Sequence, residues 1–387
     1  MDIFAYLCSK HKYRTDTHMI RLSKSVVGKA EADAVAHIIE DIGYLGMGAT
    51  VGEFEHQLEE YIGGDRRCLC VNSGTAALHL AIQAITNPGD EVLVPSFTFV
   101  ASYQAITAAN CKPVSCDIDP ETLTLDLKDA ERRITPRTTA MMPVFYASNC
   151  RLENQYQTFA REHGLRLVED AAHSFGCSCN GHKVGSTGDV TCFSFDGIKN
   201  ITSGEGGAVF TADKDVIQKV SDARLLGVQK DSEKRYAGER SWQFDVIDQG
   251  YRYHMSNIFA AIGKVQLSRF EKEFAPRRRA IAQRYTELLK DNPNVRLTPM
   301  DYVNEITPHV FALQILNGKR PQLEQLFKEH EVQYGIQYAP NHHLSLFKSD
   351  YNLPVTDEVY SRIISIPMHP ELTEDNIQLI CKLINSL

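Results

Sequence analysis

The chain has 387 residues, of which 43% are hydrophobic and 23% are charged. This length exceeds what one ordinary hydrophobic core accommodates, so we expect two domains. A formal net charge of −8 and a pI of about 6.0 argue against general binding of nucleic acids or membrane surfaces. The same charge is compatible with a local basic pocket for a small anion.

The cysteine spacing and the N-terminal sequence restrict the class of protein further. Ten cysteines are scattered along the chain, and neither Cys68 with Cys70 nor Cys177 with Cys179 has the second ligand pair of a zinc site. We therefore expect buried thiols, no metal site and a reducing, cytoplasmic compartment. The first twenty residues lack the apolar run of a signal peptide, and no run approaches transmembrane length.

Residues 1–22 read as an irregular arm, and the following GKAEADAVAHIIEDI has the apolar spacing of a helix. Strand–turn–helix units follow in CLCVNSGTAALHLAIQAI and DEVLVPSFTFVASYQAITAA. Further short apolar runs are CKPVSCDI, TAMMPVF, LRLVEDAA, TCFSFD and GGAVFT, of which the last two are too close for an intervening helix. The spacing predicts a largely parallel sheet buried on both faces, in which the last two runs can be an antiparallel addition.

The pattern changes after about Gly250. The stretch NIFAAIGKVQLSRFEKEFAPRRRAIAQRYTELLKD predicts a long amphipathic helix broken near Pro276. A strand in HVFALQIL, a helix from Pro321 to His330, a loop rich in His and Asn, and a helix after Pro370 complete the chain. We predict an arm of residues 1–22, a large domain of 23–256 and a small domain of 257–387.

Four segments place polar side chains where predicted strands end, which is where open parallel sheets bind ligands. In the first, Ser73, Gly74 and Thr75 follow a strand and begin a helix. Free N–H groups, the helix dipole and two hydroxyls at that point suit a phosphate. The same residues also suit a simple helix cap, and this stretch alone leaves both interpretations open.

The second and third segments add an acid and an aromatic ring. Glu169 and Asp170 end an apolar run, and a buried acid there needs a partner such as a protonated ring nitrogen, unless it caps a helix. His173 is close enough to face the same site or to fill a structural role. Phe97 and Phe99 point to one face, where a ring packs in the core or stacks on a flat cofactor.

The fourth segment is SFDGIKNITSGEGGAVF, in which Lys199 follows the strand-end hydroxyl of Ser194. A lysine near a bound phosphate and an apolar floor loses its proton readily and can attack a carbonyl to form a Schiff base. A phosphate pocket, a stacking ring, an acid for a pyridinium nitrogen and a lysine amine together describe a pyridoxal phosphate site.

The segment CFSFDGIKNITSGEGGAVFT resembles the lysine segment of the DegT-type sugar aminotransferases, which are pyridoxal phosphate enzymes of fold type I. The resemblance extends from about Ile20 to Leu387 and includes YLGMGATVGEFEHQLEEYIG, VNSGTAALHLA, GDEVLVPSFTFVAS, ITPRTTAMMPV, VEDAAHSFG, GSTGDVTCFSF and SIPMHPELTEDNI. It implies an α/β fold with a large domain, whose mostly parallel sheet lies between helices, and a smaller C-terminal α/β domain.

The resemblance also implies a role for each matching residue. Lys199 is expected to be the Schiff-base lysine and the proton-moving base, and Asp170 to pair with the pyridinium nitrogen. His173 is expected near the ring hydroxyl, and Phe99 against the ring face. The phosphate is expected to bind Ser73, Gly74, Thr75 and Ser194. In the small domain, GIQYAPNHH resembles a loop that reaches the sugar, which makes Tyr338 and His342 candidate substrate residues, although His342 is equally compatible with a structural role.

Two positions depart from the family pattern. Asp196 stands where members most often have a histidine or an aromatic residue, and GYRYHMSNI lacks the asparagine of the related stretch. That stretch supplies a phosphate contact from the neighbouring subunit, and Arg252 or His254 can donate in its place. The resemblance thus implies a homodimer with the active site at the subunit interface.

The expected reaction is transfer of an amino group, with glutamate as donor, to a nucleotide-linked keto-deoxyhexose for surface polysaccharide or glycoside synthesis. The alternatives are a pyridoxal phosphate-dependent sugar dehydratase and a non-catalytic regulator. An intact Lys199 and Asp170 argue against both, because related dehydratases carry histidine at the lysine position and a regulator needs neither group.

Overall fold

The computed structural model describes residues 19–229, 231–239 and 242–387. Residues 1–18 of the predicted arm lie outside this part of the chain. From Ile20 onward the chain is anchored, because Ile20 forms a parallel bridge with Val332.

A seven-stranded sheet in the order β1-β9-β8-β5-β4-β2-β3 dominates the first two thirds of the chain. Its strands are β1 Arg67–Val71, β2 Glu91–Pro95, β3 Lys112–Cys116, β4 Thr138–Met141, β5 Arg166–Asp170, β8 Val190–Ser194 and β9 Gly207–Thr211, and a separate hairpin comprises β6 Ser178–Cys179 and β7 His182–Lys183. Every neighbouring pair is parallel except those of β9, which runs antiparallel to both β1 and β8. The predicted, mostly parallel sheet is confirmed, and its antiparallel strand lies inside the sheet.

Helices pack on this sheet, and its strands β2, β8 and β9 are therefore buried on both faces. They are α1 Lys29–His37, α2 Ala49–Ile62, α3 Gly74–Ile85, α4 Val100–Ala108, α5 Leu127–Arg132, α6 Glu153–Glu162, α7 Lys214–Ala223 and α8 Asp231–Tyr236. A π-helical turn, Ile38–Ile42, extends α1.

A second sheet, antiparallel and three-stranded, lies in the C-terminal part and consists of β10 Val295–Leu297, β11 Phe311–Ile315 and β12 Ile363–Ile366. Its helices are α9 Asn257–Arg269, α10 Ala275–Leu289, α11 Arg320–Glu329, α12 Pro354–Arg362 and α13 Glu374–Asn385. The predicted interruption of the long helix is a π-helical turn at Phe270–Phe274, followed by Pro276 in the first turn of α10, where a missing N–H costs little. The boundary between residues 256 and 257 stays a prediction.

Among the described residues, no helix combines the length and the apolar character that crossing a bilayer requires.

A buried acidic pair beside β5 makes stability depend on pH. Glu169 is fully buried, accepts a hydrogen bond from Thr191 Oγ1 at 2.7 Å, and its pKa is raised by burial and by the nearby Glu153. An acid whose folded pKa is raised stabilises the fold below its unfolded pKa, and this contribution is lost as the pH rises through the folded pKa.

We therefore expect Glu169→Gln to raise the free energy of unfolding by about 1–2 kcal/mol at pH 8.5 and to change it little at pH 5. Urea denaturation at the two pH values measures this difference. An equal effect at both pH values would show that the Glu169 carboxyl is not protonated in the native state.

Candidate active site

The strands that carry the predicted site residues are mutually parallel, so their carboxyl ends meet at one edge of the sheet. There β5 ends at Asp170 and β8 ends at Ser194. Strand β1 leads to Ser73, and β2 leads to the segment that ends at Phe99. The fold thereby gathers the four polar segments singled out in the sequence.

The predicted phosphate residues lie together at the start of α3. Ser73 is the N-cap, and its Oγ accepts from Ala76 N at 3.1 Å. A Cβ atom on Gly74 would lie 2.8 Å from Ser194 Cβ, so only glycine allows the helix start to approach the end of β8 this closely. Ser73 thus caps the helix, as one interpretation required, while the remaining first-turn N–H groups, with Thr75 exposed beside them, form an anion-binding end.

Asp170 is buried with its carboxylate held on both oxygens. Ser102 Oγ donates to Oδ2 at 2.8 Å, and Ala172 N donates to Oδ1 at 3.2 Å. Burial raises the pKa of Asp170, while both hydrogen bonds and the charge of Lys199 oppose the shift. A buried carboxylate of this kind is stabilised by a cation placed against it, which is what a protonated ring nitrogen would supply.

Lys199 is partly buried in the turn after β8, with its backbone N–H donating to Asp196 O at 3.0 Å. Burial lowers the pKa of Lys199 to about 8, although the carboxylates of Asp170 and Asp196 oppose the shift. Its Nζ lies 3.4 Å from His309 Nε2. The amine is therefore unprotonated in an appreciable fraction of molecules near neutral pH, as a nucleophile or base requires.

Two histidines beside Lys199 are held neutral. Burial lowers the pKa of His173 and of His309, and the charge of Lys199 lowers both further. His173 Nδ1 accepts from Ala147 N at 3.3 Å, so its Nε2 carries the hydrogen that faces Tyr338 OH at 3.2 Å. His309 Nδ1 is buried without a hydrogen-bond partner among the described residues.

An unusual backbone turn supports His173. Ala147 and Ser148 both have positive φ, at 50° and 73°, which is costly for residues other than glycine. The turn places Ala147 N against His173 and places Ser148 Oγ where it donates to His173 O and accepts from His309 N. Strain of this kind persists where surrounding contacts enforce it, and it marks functional sites.

An exposed aromatic ring borders the group. Phe99 is 53% exposed at the N-cap of α4, and its ring centroid lies 5.3 Å from that of Tyr338. Phe99 begins the helix whose Ser102 donates to Asp170, so its exposed phenyl ring provides a face on which a flat cofactor can stack. Tyr338, a predicted substrate residue, therefore belongs to the same group as His173 and Phe99.

The remaining candidates lie around this centre. Arg252 and His254 lie beside the end of β1 of their own chain. There Asn72 N donates to Tyr253 O at 2.6 Å, and Val71 forms a β-bridge with His254. Burial and the charges of nearby arginines lower the pKa of His254 to about 4. Their predicted role toward a neighbouring subunit stays a prediction.

His342 contacts residues other than this central group. Its Nδ1 lies 2.7 Å from Ser96 Oγ, and its Nε2 lies 3.3 Å from Asp357 Oδ1. It thus contacts the segment that leads to Phe99. Its predicted contact with the substrate stays a prediction.

Two residues of the group, Ser102 and His309, were not identified from the sequence. Ser102 lies three residues after Phe99, in the first turn of a helix that follows a strand end. That position could have indicated that its hydroxyl faces the site. His309 comes from the segment before β11, 110 residues from Lys199, and no local pattern marks it.

We expect Ser102→Ala to lower kcat/KM by about 10- to 100-fold, because the Asp170 carboxylate loses a charge-assisted hydrogen bond. Thr98→Val is the matched control, since Thr98 Oγ1 contacts Ser102 Oγ at 3.0 Å rather than the acid. Steady-state kinetics with saturating cofactor measure the effect. Equal losses in both variants would indicate a general packing defect instead.

Comparison with known proteins identifies the family. The model of the DegT/DnrJ/EryC1/StrS aminotransferase family matches residues 26–385. The chain belongs to the DegT/DnrJ/EryC1/StrS aminotransferase family. This confirms the resemblance read from the lysine segment and the expected enzyme class.

Individual relatives agree with this membership. The chain is 33% identical over 367 residues to dTDP-4-dehydro-2,3,6-trideoxy-D-glucose 4-aminotransferase of Saccharopolyspora spinosa, covering 94% of this chain and 95% of the relative. The sugar aminotransferase CalS13 of Micromonospora echinospora is 28% identical, with a TM-score of 0.86 over 95% of this chain and 100% of its own. Spr1654 of Streptococcus pneumoniae, assigned as a sugar aminotransferase and solved in its PMP form, is 26% identical, with a TM-score of 0.84 over 95% and 97%. These matches confirm the predicted fold class.

Proposed function

We propose that this family member is a pyridoxal phosphate-dependent aminotransferase that transfers the amino group of glutamate to a nucleotide-linked keto-deoxyhexose. The observation that carries the proposal is the placement of Lys199, with its lowered pKa, in the same buried group as Asp170, His173 and His309. The relative from Saccharopolyspora spinosa, which acts on a 4-keto-deoxysugar, supports a 4-keto-6-deoxy substrate ahead of the 3-keto alternative.

The residues present fit pyridoxal phosphate. The buried Asp170 suits a protonated pyridine nitrogen, the exposed face of Phe99 suits the ring, and the start of α3 beside Ser194 suits the phosphate. Spr1654, solved in its PMP form, supports the same cofactor. When bound, pyridoxal phosphate supplies a carbonyl for the amino group and an electron sink for the carbanion.

The side chains divide the remaining work. The Nζ of Lys199 removes the proton from the amino-acid carbon and returns one to the sugar carbon. Asp170 holds positive charge at the ring nitrogen, and neutral His173, with its hydrogen on Nε2, offers a donor without adding charge. Tyr338 and His342 belong to the loop that we place against the sugar.

The expected products follow from this exchange of an amine for a ketone. Incubation with glutamate and a nucleotide 4-keto-6-deoxyhexose should yield equal amounts of 2-oxoglutarate and an amino sugar that retains one nitrogen. Its nucleoside diphosphate then serves as leaving group when the sugar is transferred to a polysaccharide or glycoside. A deoxygenated product without nitrogen would indicate a dehydratase, and no turnover together with ligand binding would indicate a regulator.

We also propose a homodimer in which Arg252 and His254 contact the phosphate bound by the partner subunit. Three large apolar side chains just before this stretch, Trp242, Phe244 and Ile247, are 83%, 59% and 68% exposed. Large exposed apolar side chains this close together along the chain favour a protein interface. The cytoplasm is the proposed location, because nine buried cysteines are free thiols, as a reducing compartment favours.

Mixing two inactive variants tests the shared site. We expect Lys199→Ala and the double variant Arg252→Ala/His254→Ala, each inactive alone, to regain partial activity when mixed, because mixed dimers contain one intact site. Activity of the mixture and sedimentation of each component are measured together. Full activity of a monomeric species would rule out this arrangement.

A further inference from the structure

Three metal-ligating side chains converge outside the group around Lys199. His342 Nε2 lies 3.3 Å and His343 Nε2 lies 2.9 Å from the same oxygen, Asp357 Oδ1. All three ligand atoms lie within 4.8 Å of one another. At metal–ligand bonds of 2.0–2.1 Å, neighbouring ligands of a tetrahedral ion are about 3.3–3.4 Å apart, so the 3.3 Å spacing matches such a site and the 2.9 Å spacing would widen by about 0.4 Å on binding.

Hydrogen bonds with Ser96 fix the orientation of His342. Ser96 Oγ lies 2.7 Å from His342 Nδ1 and also accepts from His342 N at 3.1 Å. Ser96 therefore holds the Nδ1 side of the imidazole, and Nε2 is the ring nitrogen that faces Asp357.

The Nε2 atoms of His342 and His343 both approach the same carboxylate oxygen of Asp357. Metal-binding histidines typically have one ring nitrogen held by a hydrogen bond while the other ligates, and Ser96 provides that hydrogen bond here. His342 is 7% exposed, whereas the side chains of His343 and Asp357 are 46% exposed, so a remaining coordination position is open to solvent.

We propose that His342, His343 and Asp357 bind a divalent transition metal ion, for which two imidazoles and one carboxylate make zinc a suitable match. The site does not use cysteine, which is why the cysteine spacing in the sequence gave no indication of it. The proposal is independent of the aminotransferase reaction.

A bound ion would connect the loop to a helix. His342 and His343 lie in the turn Asn341–His343, and Asp357 lies in α12. Asn341 Nδ2 donates to Ser96 O at 3.1 Å and to Thr98 O at 2.8 Å, immediately before Phe99. The ion would therefore stabilise the segment that presents Phe99 to the active site.

Titration of the cofactor-loaded enzyme with Zn²⁺ tests the site. Calorimetry should show one ion per chain with a dissociation constant in the micromolar range or below, and His343→Gln and Asp357→Asn should each weaken this binding at least 10-fold. The matched controls are His330→Gln, an exposed histidine of the same region, and Glu358→Gln, the next residue of α12. Both controls should bind as the unmodified protein does.

Crystals soaked in Zn²⁺ provide a second measurement. An anomalous peak about 2.0–2.2 Å from both Nε2 atoms and Asp357 Oδ1 would support the site. Exposed pairs such as His37 and Asp41 also attract zinc, but their signal persists in His343→Gln and Asp357→Asn. Equal affinity in these two variants and the unmodified protein, or no ion at this position, would show that the three side chains form a hydrogen-bonded cluster only.

Discussion

Lys199→Ala should abolish transamination, with kcat lowered by about 10⁴-fold or more. In the proposed mechanism the substitution removes both the nucleophile that holds the cofactor and the base that moves the substrate proton, and a positioned base alone contributes about 10²–10⁴-fold. Borohydride reduction of the unmodified enzyme, which fixes the cofactor covalently to the lysine it has bonded, should label the peptide with Lys199. Peptide mass mapping measures the label, and steady-state assays measure the rate.

Lys183 provides the matched control for this experiment. Burial lowers the pKa of Lys183 as well, but its Nζ donates to Tyr61 O at 2.9 Å, away from the group around Asp170. Lys183→Ala should therefore retain activity. Cofactor attached to Lys183, or comparable losses in both variants, would remove Lys199 from the mechanism.

The lowered pKa of Lys199 also has a consequence for stability. Its pKa falls from an ordinary 10.5 to about 8, so the folded protein binds this proton less tightly than the unfolded chain does. The cost of the buried charge is present below pH 8 and fades as the pH rises to 10.5. Replacing Lys199 with methionine should thus stabilise the cofactor-free protein by about 3 kcal/mol at pH 7, and by little at pH 10.5.

The chemistry-bearing residues at strand ends were predictable from the sequence because a local rule governs them. A parallel sheet brings the carboxyl ends of its strands to one edge, so Asp170, Ser194 and Gly74 could be grouped without knowing the order of the strands. Lys199 follows β8 closely enough to share that edge. The position of β9 between β1 and β8 was not predictable, since apolar runs give the length and burial of a strand but not its neighbours.

The residues that tune the site depend on packing between distant segments. Ser102 reaches Asp170 only because the helix after β2 lies near the end of β5, although β4 separates the two strands in the sheet. His309 reaches Lys199 only because the C-terminal part packs against the large sheet. Neither contact is marked by a period or a spacing in the sequence. The positive φ of Ala147 was also not predictable, because its surroundings impose it rather than its residue type.

Asp170→Asn should lower kcat by about 10²–10³-fold, which corresponds to the loss of a preorganised electrostatic partner of about 3–4 kcal/mol. Asparagine has the size of aspartate and its oxygen can still accept the hydrogen bond from Ser102 Oγ. It carries no negative charge, so in the proposed mechanism it would not keep the ring nitrogen of the cofactor protonated, and proton transfer at the substrate carbon would slow. Single-turnover rates of each half-reaction measure the effect, and both halves should slow.

The neighbouring Glu169 separates this effect from a general disturbance of β5. Glu169 is equally buried, but it bonds to Thr191 Oγ1 and has no contact with Ser102. Glu169→Gln replaces the neighbouring acid of the same strand, whose raised pKa keeps it protonated near neutral pH, and should leave both half-reactions within about 3-fold of the unmodified rate, because no charge is lost next to the ring nitrogen. If Asp170→Asn turned over at a near-normal rate while Glu169→Gln did not, the acid that pairs with the cofactor would be Glu169, and the adjacent carboxylate would serve only to hold Ser102 and Ala172 in place.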